Sequence, residues 1–164
     1  MNAIVGFIRK LPTVFATGFG LGYAPIAPGT FGALIGCLIV WTFTIHLPEL
    51  WMQIVACALL TLACIPVCTY AEKDLGGEKD NGKIVADEYL TFPICMLGMY
   101  GLWQKYWWLM PMCFIVSRIM DIVKPFPAYR LQLLPSGLGI TIDDFVSSLY
   151  ALAANWLLFT VITV

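Results

Sequence analysis

Between residues 84 and 144 the chain sets a group of charges into otherwise apolar sequence: Asp87-Glu88 in IVADEY, Arg118, Asp121 and Lys124 in RIMDIVKPFP, Arg130 just after, and Asp143-Asp144 closing GLGITIDD. Successive helical residues turn by about 100°, so Arg118, Asp121 and Lys124 fall within an arc of about 120° and face one cavity over about 9 Å of axis. Five acids against three bases leave two negative charges, which would repel an anionic substrate unless a divalent cation joined them. Mg²⁺ suits the set, because it takes oxygen ligands, keeps several waters and is commonly held by one or two carboxylates plus substrate phosphate. Asp87, Glu88, Asp121, Asp143 and Asp144 are therefore the candidate metal ligands, and with Arg118 and Lys124 the candidate catalytic residues. Arg118 would hold phosphoryl oxygens by a planar fork and Lys124 as a point charge, while a remaining carboxylate orients or deprotonates an attacking water.

Each piece also has a purely structural use. Asp143 or Asp144 would cap the last helix if its N-terminus fell there, and Asp87-Glu88 would complement a helix dipole as first-turn acids. Arg118 and Asp121 would form a local ion pair, with Lys124 reaching to the interface. The inventory narrows the chemistry further. The single histidine, His46, lies at the far end of an apolar run, away from all these charges, which excludes a phosphohistidine intermediate. Cys113 precedes Arg118 by five positions, one short of the cysteine-phosphatase spacing, and sits in an apolar run.

The elements that must carry these residues belong in a membrane. Hydrophobic residues make up 60% of the chain and charged residues 12%, and the mean hydropathy is +0.85, which no soluble globule of this size shows. A net charge of −1 and the lack of any basic run leave no electrostatic case for nucleic acid. The six cysteines lie in apolar runs and form neither a disulfide framework nor a zinc pattern. The expectation is an all-α polytopic membrane bundle of four to five spans in a single domain over 1–164. The spans are expected at 31–47, 50–70, 89–102, 106–123 and 145–164, with 89–102 the weakest. The first eight residues read as a short surface helix and not as a cleaved signal. The stretch LPTVFATGFGLGYAPIAPGTFGAL is too rich in Gly and Pro for regular helix yet uncharged, so it reads as a re-entrant or cavity-lining loop. Backbone amides at Gly29 and Thr30 are candidate substrate contacts, together with Arg118, Lys124 and Arg130.

Five spans place Arg9, Lys10, Lys73, Lys79, Lys83, Arg118, Lys124 and Arg130 on one side and Lys105 alone on the other, which makes the first side cytoplasmic. Tyr100, Trp103, Tyr106, Trp107, Trp108 and Trp51 then gather as an aromatic belt at the opposite face. The Gly/Pro loop, Asp87-Glu88, the Arg118–Pro127 stretch and Gly137–Asp144 converge on the cytoplasmic face.

The segments GFGLGYAPIAPGTFGAL (18–34), IVADEY (84–89), RIMDIVKPFP (118–127) and GLGITIDD (137–144) together resemble the motif set of the phosphatidylglycerophosphatase A family, in the same order and over roughly residues 13–150. The resemblance implies a bacterial integral-membrane lipid phosphatase of the plasma membrane, facing the cytoplasm. It further implies Mg²⁺-dependent removal of the terminal phosphate of phosphatidylglycerophosphate, an anionic phospholipid of the bilayer, in phospholipid biosynthesis. The family's acids map onto Asp87, Glu88, Asp121, Asp143 and Asp144, with Arg118 and Lys124 as basic partners. Two other readings compete. In a CDP-alcohol phosphatidyltransferase, Gly139 and Asp143 would match part of the pattern, but Ser147 stands where a further Asp is required. In a small transporter subunit the charges would form an ion path, and Arg118 and Asp121 would then lie nearer mid-membrane.

Overall fold

The computed structural model describes residues 10–78 and 81–164, which are helical or irregular with no strand among them. Among the described residues, three helices are long and apolar enough to cross a membrane: α1 (Pro28–His46), α2 (Leu50–Asp74) and α7 (Ser136–Thr163). Pro28 opens α1 where its missing N–H costs nothing. Pro66 is carried inside α2. Leu38, Trp41, Leu59, Leu62, Leu157 and Val161 project outward and exposed, an apolar surface of the kind lipid covers.

The segment expected to span at 89–102 is not a continuous helix. It breaks into α3 (Ala86–Thr91), a 3₁₀ turn (Phe92–Met96) and α4 (Leu102–Lys105), because Pro93, Gly98 and Gly101 interrupt it. It still passes from one end of the bundle to the other, inside it and alongside α1. Glu88 lies against Gly29, Val85 against Gly32 and Phe92 against Gly36, and Thr44 near the end of α1 donates to the Tyr100 carbonyl at 3.0 Å. A Cβ on Gly36 would come within 2.5 Å of the Phe92 Cβ, so the glycine face of α1 is what admits this passage.

Irregular backbone at such depth needs partners from the protein itself. Gln53 supplies two, accepting from the Gly98 amide at 3.0 Å and donating to the Leu47 carbonyl at 3.0 Å. Asn155, fully buried on α7, donates to the Cys95 carbonyl at 2.9 Å. The Tyr100 hydroxyl donates to the Pro93 carbonyl and the Trp156 indole to the Leu97 carbonyl. Tyr100 is consequently a core residue, 1% exposed, and not part of an aromatic belt. Trp51 and Trp107 are exposed as a belt requires, and Tyr106 and Trp108 stack on Phe159 near the same end.

Helix α5 (Leu109–Val123) returns to the first end, shorter than the expected 106–123, and α6 (Ala128–Leu131) leads into α7. The last helix starts at Ser136, nine residues before the expected 145. Gly137 explains the difference, since its lack of a Cβ lets the first turn of α7 press on α2, where a Cβ would lie 2.3 Å from the Ile65 carbonyl oxygen. Toward the N-terminus, residues 10–16 are helical and 18–27 irregular apart from a 3₁₀ turn at Leu21–Tyr23. The irregularity expected through residue 32 ends at Pro28 because Gly29 and Gly32 serve close helix packing instead of turns. The loop does line an open cavity of about 430 Å³, with Lys10, Thr13, Tyr23 and Asp74. The helix expected over the first eight residues, and Arg9 and Lys79, lie outside the described residues.

Candidate active site

The start of α1, the end of α2, the start of α3, the end of α5 and the start of α7 meet at one end of the bundle, and they bring the expected charges together. Asp87 and Glu88 occupy the first turn of α3. Asp143 and Asp144 lie seven and eight residues inside α7, both buried, so neither caps that helix. Arg118 pairs with Glu88 and, through its second terminal nitrogen, with Asp121 at 3.1 Å. Lys124 Nζ meets Asp143 Oδ2 at 2.5 Å and donates to Gln132 Oε1 at 3.3 Å. Asp121 and Asp144 line the same small cavity.

Lys124 ends α5 in the left-handed region, with φ 44°. That conformation is uncommon for a residue with a side chain, and here it turns the ammonium back onto α7 just before Pro125. Burial opposes its charge, but the hydrogen bond and charge of Asp143, with Asp144 and Asp121 behind it, outweigh that and hold the ammonium above the usual lysine range. Gly29 plays a steric part, because a Cβ there would sit 1.6 Å from Glu88 Oε1. Only glycine leaves the Glu88 carboxylate its place beside the first turn of α1.

Two candidates stand apart. The Thr30 amide is bonded to the Ala27 carbonyl at 2.9 Å, so it is not available to a phosphate. Arg130 is exposed and outside the carboxylate cluster. Its guanidinium lies 5.3 Å from the Phe126 ring centroid and 5.8 Å from that of Tyr129. Without Arg130 the cluster holds five carboxylates against two cations, a larger negative excess than the sequence alone indicated.

The structure also adds hydroxyls that the sequence did not single out. A small cavity of about 20 Å³ beside Glu88, Arg118 and Asp144 is lined by Thr91, Ser117 and Ser147, room for about one water. Ser147 Oγ, Arg118 Nε and Asp87 Oδ1 are buried there or nearby with no hydrogen-bond partner. In the sequence Ser147 is marked only by standing where the phosphatidyltransferase pattern requires an acid and by its position three residues after Asp144, on the same face of α7.

An orphaned buried carboxylate oxygen costs about 1–3 kcal/mol unless something binds it, and the charged groups that meet at this end of the bundle are mainly carboxylates. That chemistry fits a hard divalent cation. Among the described residues no three acids, histidines or cysteines form a ready-made cage. The two observations agree for an ion that takes one or two carboxylates and completes its shell with water and substrate.

The family model described as phosphatidylglycerophosphatase A matches residues 14–159. A protein of Bacteroides thetaiotaomicron, provisionally named a phosphatidylinositol-3-phosphatase, is 32% identical over 155 residues, covering 90% of this chain and 96% of its own. Proteins named phosphatidylglycerophosphatase A from Haemophilus influenzae and Escherichia coli are 35% identical over 140 residues and 33% over 152. They cover 84% and 87% of this chain and 82% and 84% of their own lengths. No solved structure matches the chain.

Proposed function

The chain belongs to the phosphatidylglycerophosphatase A family, and from that premise we propose that it hydrolyses the terminal phosphomonoester of phosphatidylglycerophosphate in a Mg²⁺-dependent reaction, at the cytoplasmic face of a bacterial plasma membrane, as a step in phospholipid biosynthesis. The observation that carries the site assignment is the meeting of Asp87, Glu88, Arg118, Asp121, Lys124, Asp143 and Asp144 at one end of the bundle, with Asp87 Oδ1 buried and unpartnered.

The seven residues divide by their partners. Glu88 and Asp143 hold Arg118 and Lys124 in place, and those two cations bind the phosphoryl oxygens of the substrate. Arg118 still has its buried Nε to donate. Of Asp87, Asp121 and Asp144, one or two would hold the cation, and a remaining acid orients and deprotonates the attacking water. The cation, when bound, supplies positive charge against the phosphoryl oxygens and makes a water easier to ionise. Exclusion of bulk water follows from the burial of Asp87, Asp143 and Asp144, which strengthens every charge interaction in the site.

The test is phosphate release by the purified protein from phosphatidylglycerophosphate, with phosphatidylinositol 3-phosphate as the competing phosphomonoester lipid. Release from phosphatidylglycerophosphate should predominate, stop with EDTA and return with added Mg²⁺. EDTA-insensitive release would refute the metal, and no release from phosphatidylglycerophosphate would refute the reaction.

A further inference from the structure

Arg130 is a cation without an acid. Among the described residues no carboxylate lies within ion-pair distance of it. Its Nε donates to the Tyr129 hydroxyl at 3.0 Å, and its guanidinium packs against the Phe126 and Tyr129 rings. Such stacking orients a guanidinium and leaves most of its donors free. The surrounding surface is apolar and exposed: Ile122 75%, Val123 65%, Phe126 61% and Leu133 72%. Charge over exposed aliphatic and aromatic side chains, at the end of helices that cross a bilayer, matches the depth at which lipid phosphates lie.

This patch also adjoins the carboxylate site. Phe126 is two residues beyond Lys124, and its carbonyl accepts from Tyr150 of α7 at 2.8 Å, so the patch is tied to the helix that carries Asp143 and Asp144. Two residues beyond Arg130, Gln132 accepts from Lys124 Nζ. One short loop thus carries Lys124, which faces the buried acids, and Arg130, which faces outward among apolar side chains.

Resting on the reaction proposed above, we infer that Arg130, set by Phe126 and Tyr129, is a second phosphate subsite that binds the inner phosphodiester of the lipid substrate while its terminal phosphomonoester sits between Arg118 and Lys124. The substrate carries both groups, one at each end of its headgroup glycerol, and a two-point grip would select it over lipids that have the monoester alone. The inner phosphodiester is a single negative charge beside the acyl chains, which is what a lone guanidinium on an apolar platform can pair with.

The two products separate the subsites. Phosphatidylglycerol keeps the phosphodiester and lacks the monoester, whereas inorganic phosphate carries only what the site between Arg118 and Lys124 takes. In micelles of uncharged detergent, free of other lipid, Arg130→Gln should raise the KM for phosphatidylglycerophosphate and the inhibition constant of phosphatidylglycerol by about tenfold or more, the size of one charge-assisted hydrogen bond. The ratio of the two products' inhibition constants should shift by the same factor, and Arg130→Lys should restore part of it. Equal shifts for both products would mean a general disturbance of the loop. A KM defect seen only in bilayers rich in anionic lipid would mean that Arg130 binds bulk lipid. No shift at all would mean that Arg130 binds neither. Each of these three results overturns the proposal, and none depends on the wild-type activity being absent, which would instead refute the reaction itself.

Discussion

Asp87 and Glu88 are neighbours in sequence with different surroundings. Asp87 Oδ1 is buried with no partner, whereas Glu88 is gripped by Arg118 and fitted against Gly29. Replacing Asp87 by Asn should therefore abolish phosphate release, by a factor of at least about 10³ if it binds the ion, while costing little stability. Glu88→Gln should lose both activity and about 1–3 kcal/mol of stability, because Arg118 keeps only Asp121 as an ionic partner. Activity and thermal unfolding of both variants in detergent check the contrast, and equal stability losses would contradict it. Gly29→Ala leaves every charge in place and should still lower activity tenfold or more, since its Cβ would occupy the Glu88 carboxylate's position. The charged residues were legible in the sequence because ionisable groups are costly in apolar surroundings and stand out there. Ser147 was not, because serine in an apolar helix commonly bonds back to its own turn, and nothing in the sequence shows that its hydroxyl lacks that bond.

At the scale of elements, the informative piece is the broken passage from Ala86 to Lys105, which brings Asp87 and Glu88 to the site yet is split into short helical pieces with no continuous helix. Sequence marked it as the weakest span, and hydropathy could go no further, since a covered interior segment and a lipid-facing one are equally apolar. What separates them lies elsewhere in the chain: Gly29, Gly32 and Gly36 on one face of α1, and the buried amides Gln53 and Asn155 on α2 and α7. The early start of α7 has the same cause, as Gly137 and Gly139 look like turn residues until the carbonyls they pack against are known. Gln53→Leu should leave the Gly98 amide and the Leu47 carbonyl without partners, costing about 1–3 kcal/mol for each group left buried and unpaired. Gln53 touches none of the acids, so the protein that remains folded should keep its kcat. A stability loss below about 0.5 kcal/mol, read from thermal unfolding in detergent, would mean that the passage does not depend on Gln53.

For the whole molecule the chemistry and the membrane are linked by which end faces which compartment. Among the described residues, Lys10, Lys73, Lys83, Arg118, Lys124 and Arg130 belong to the end that carries the carboxylates, and Lys105 belongs to the other. The interior passage keeps that division intact even though it is not a lipid-facing helix, because it still carries the chain from Asp87 at one end to Tyr100 near the end of α1 at the other. Positive residues flanking short loops are retained on the cytoplasmic side, so the acid site is expected to open to the cytoplasm, where Mg²⁺ and newly made phospholipid headgroups are both at hand. Gly82 and Lys105 are exposed reporters of the two ends, and nothing lies within 4 Å of a Cβ added at Gly82. Of the native cysteines, Cys57, Cys64, Cys68, Cys95 and Cys113 are buried and Cys37 is partly so, which keeps background labelling low. A membrane-impermeant maleimide should label Gly82→Cys in inside-out vesicles and not in intact cells, and Lys105→Cys in the reverse pattern. Labelling of Gly82→Cys from outside the cell would place the carboxylates on the far side of the membrane, and the cytoplasmic assignment of the reaction would have to be abandoned even if the purified enzyme hydrolysed its lipid.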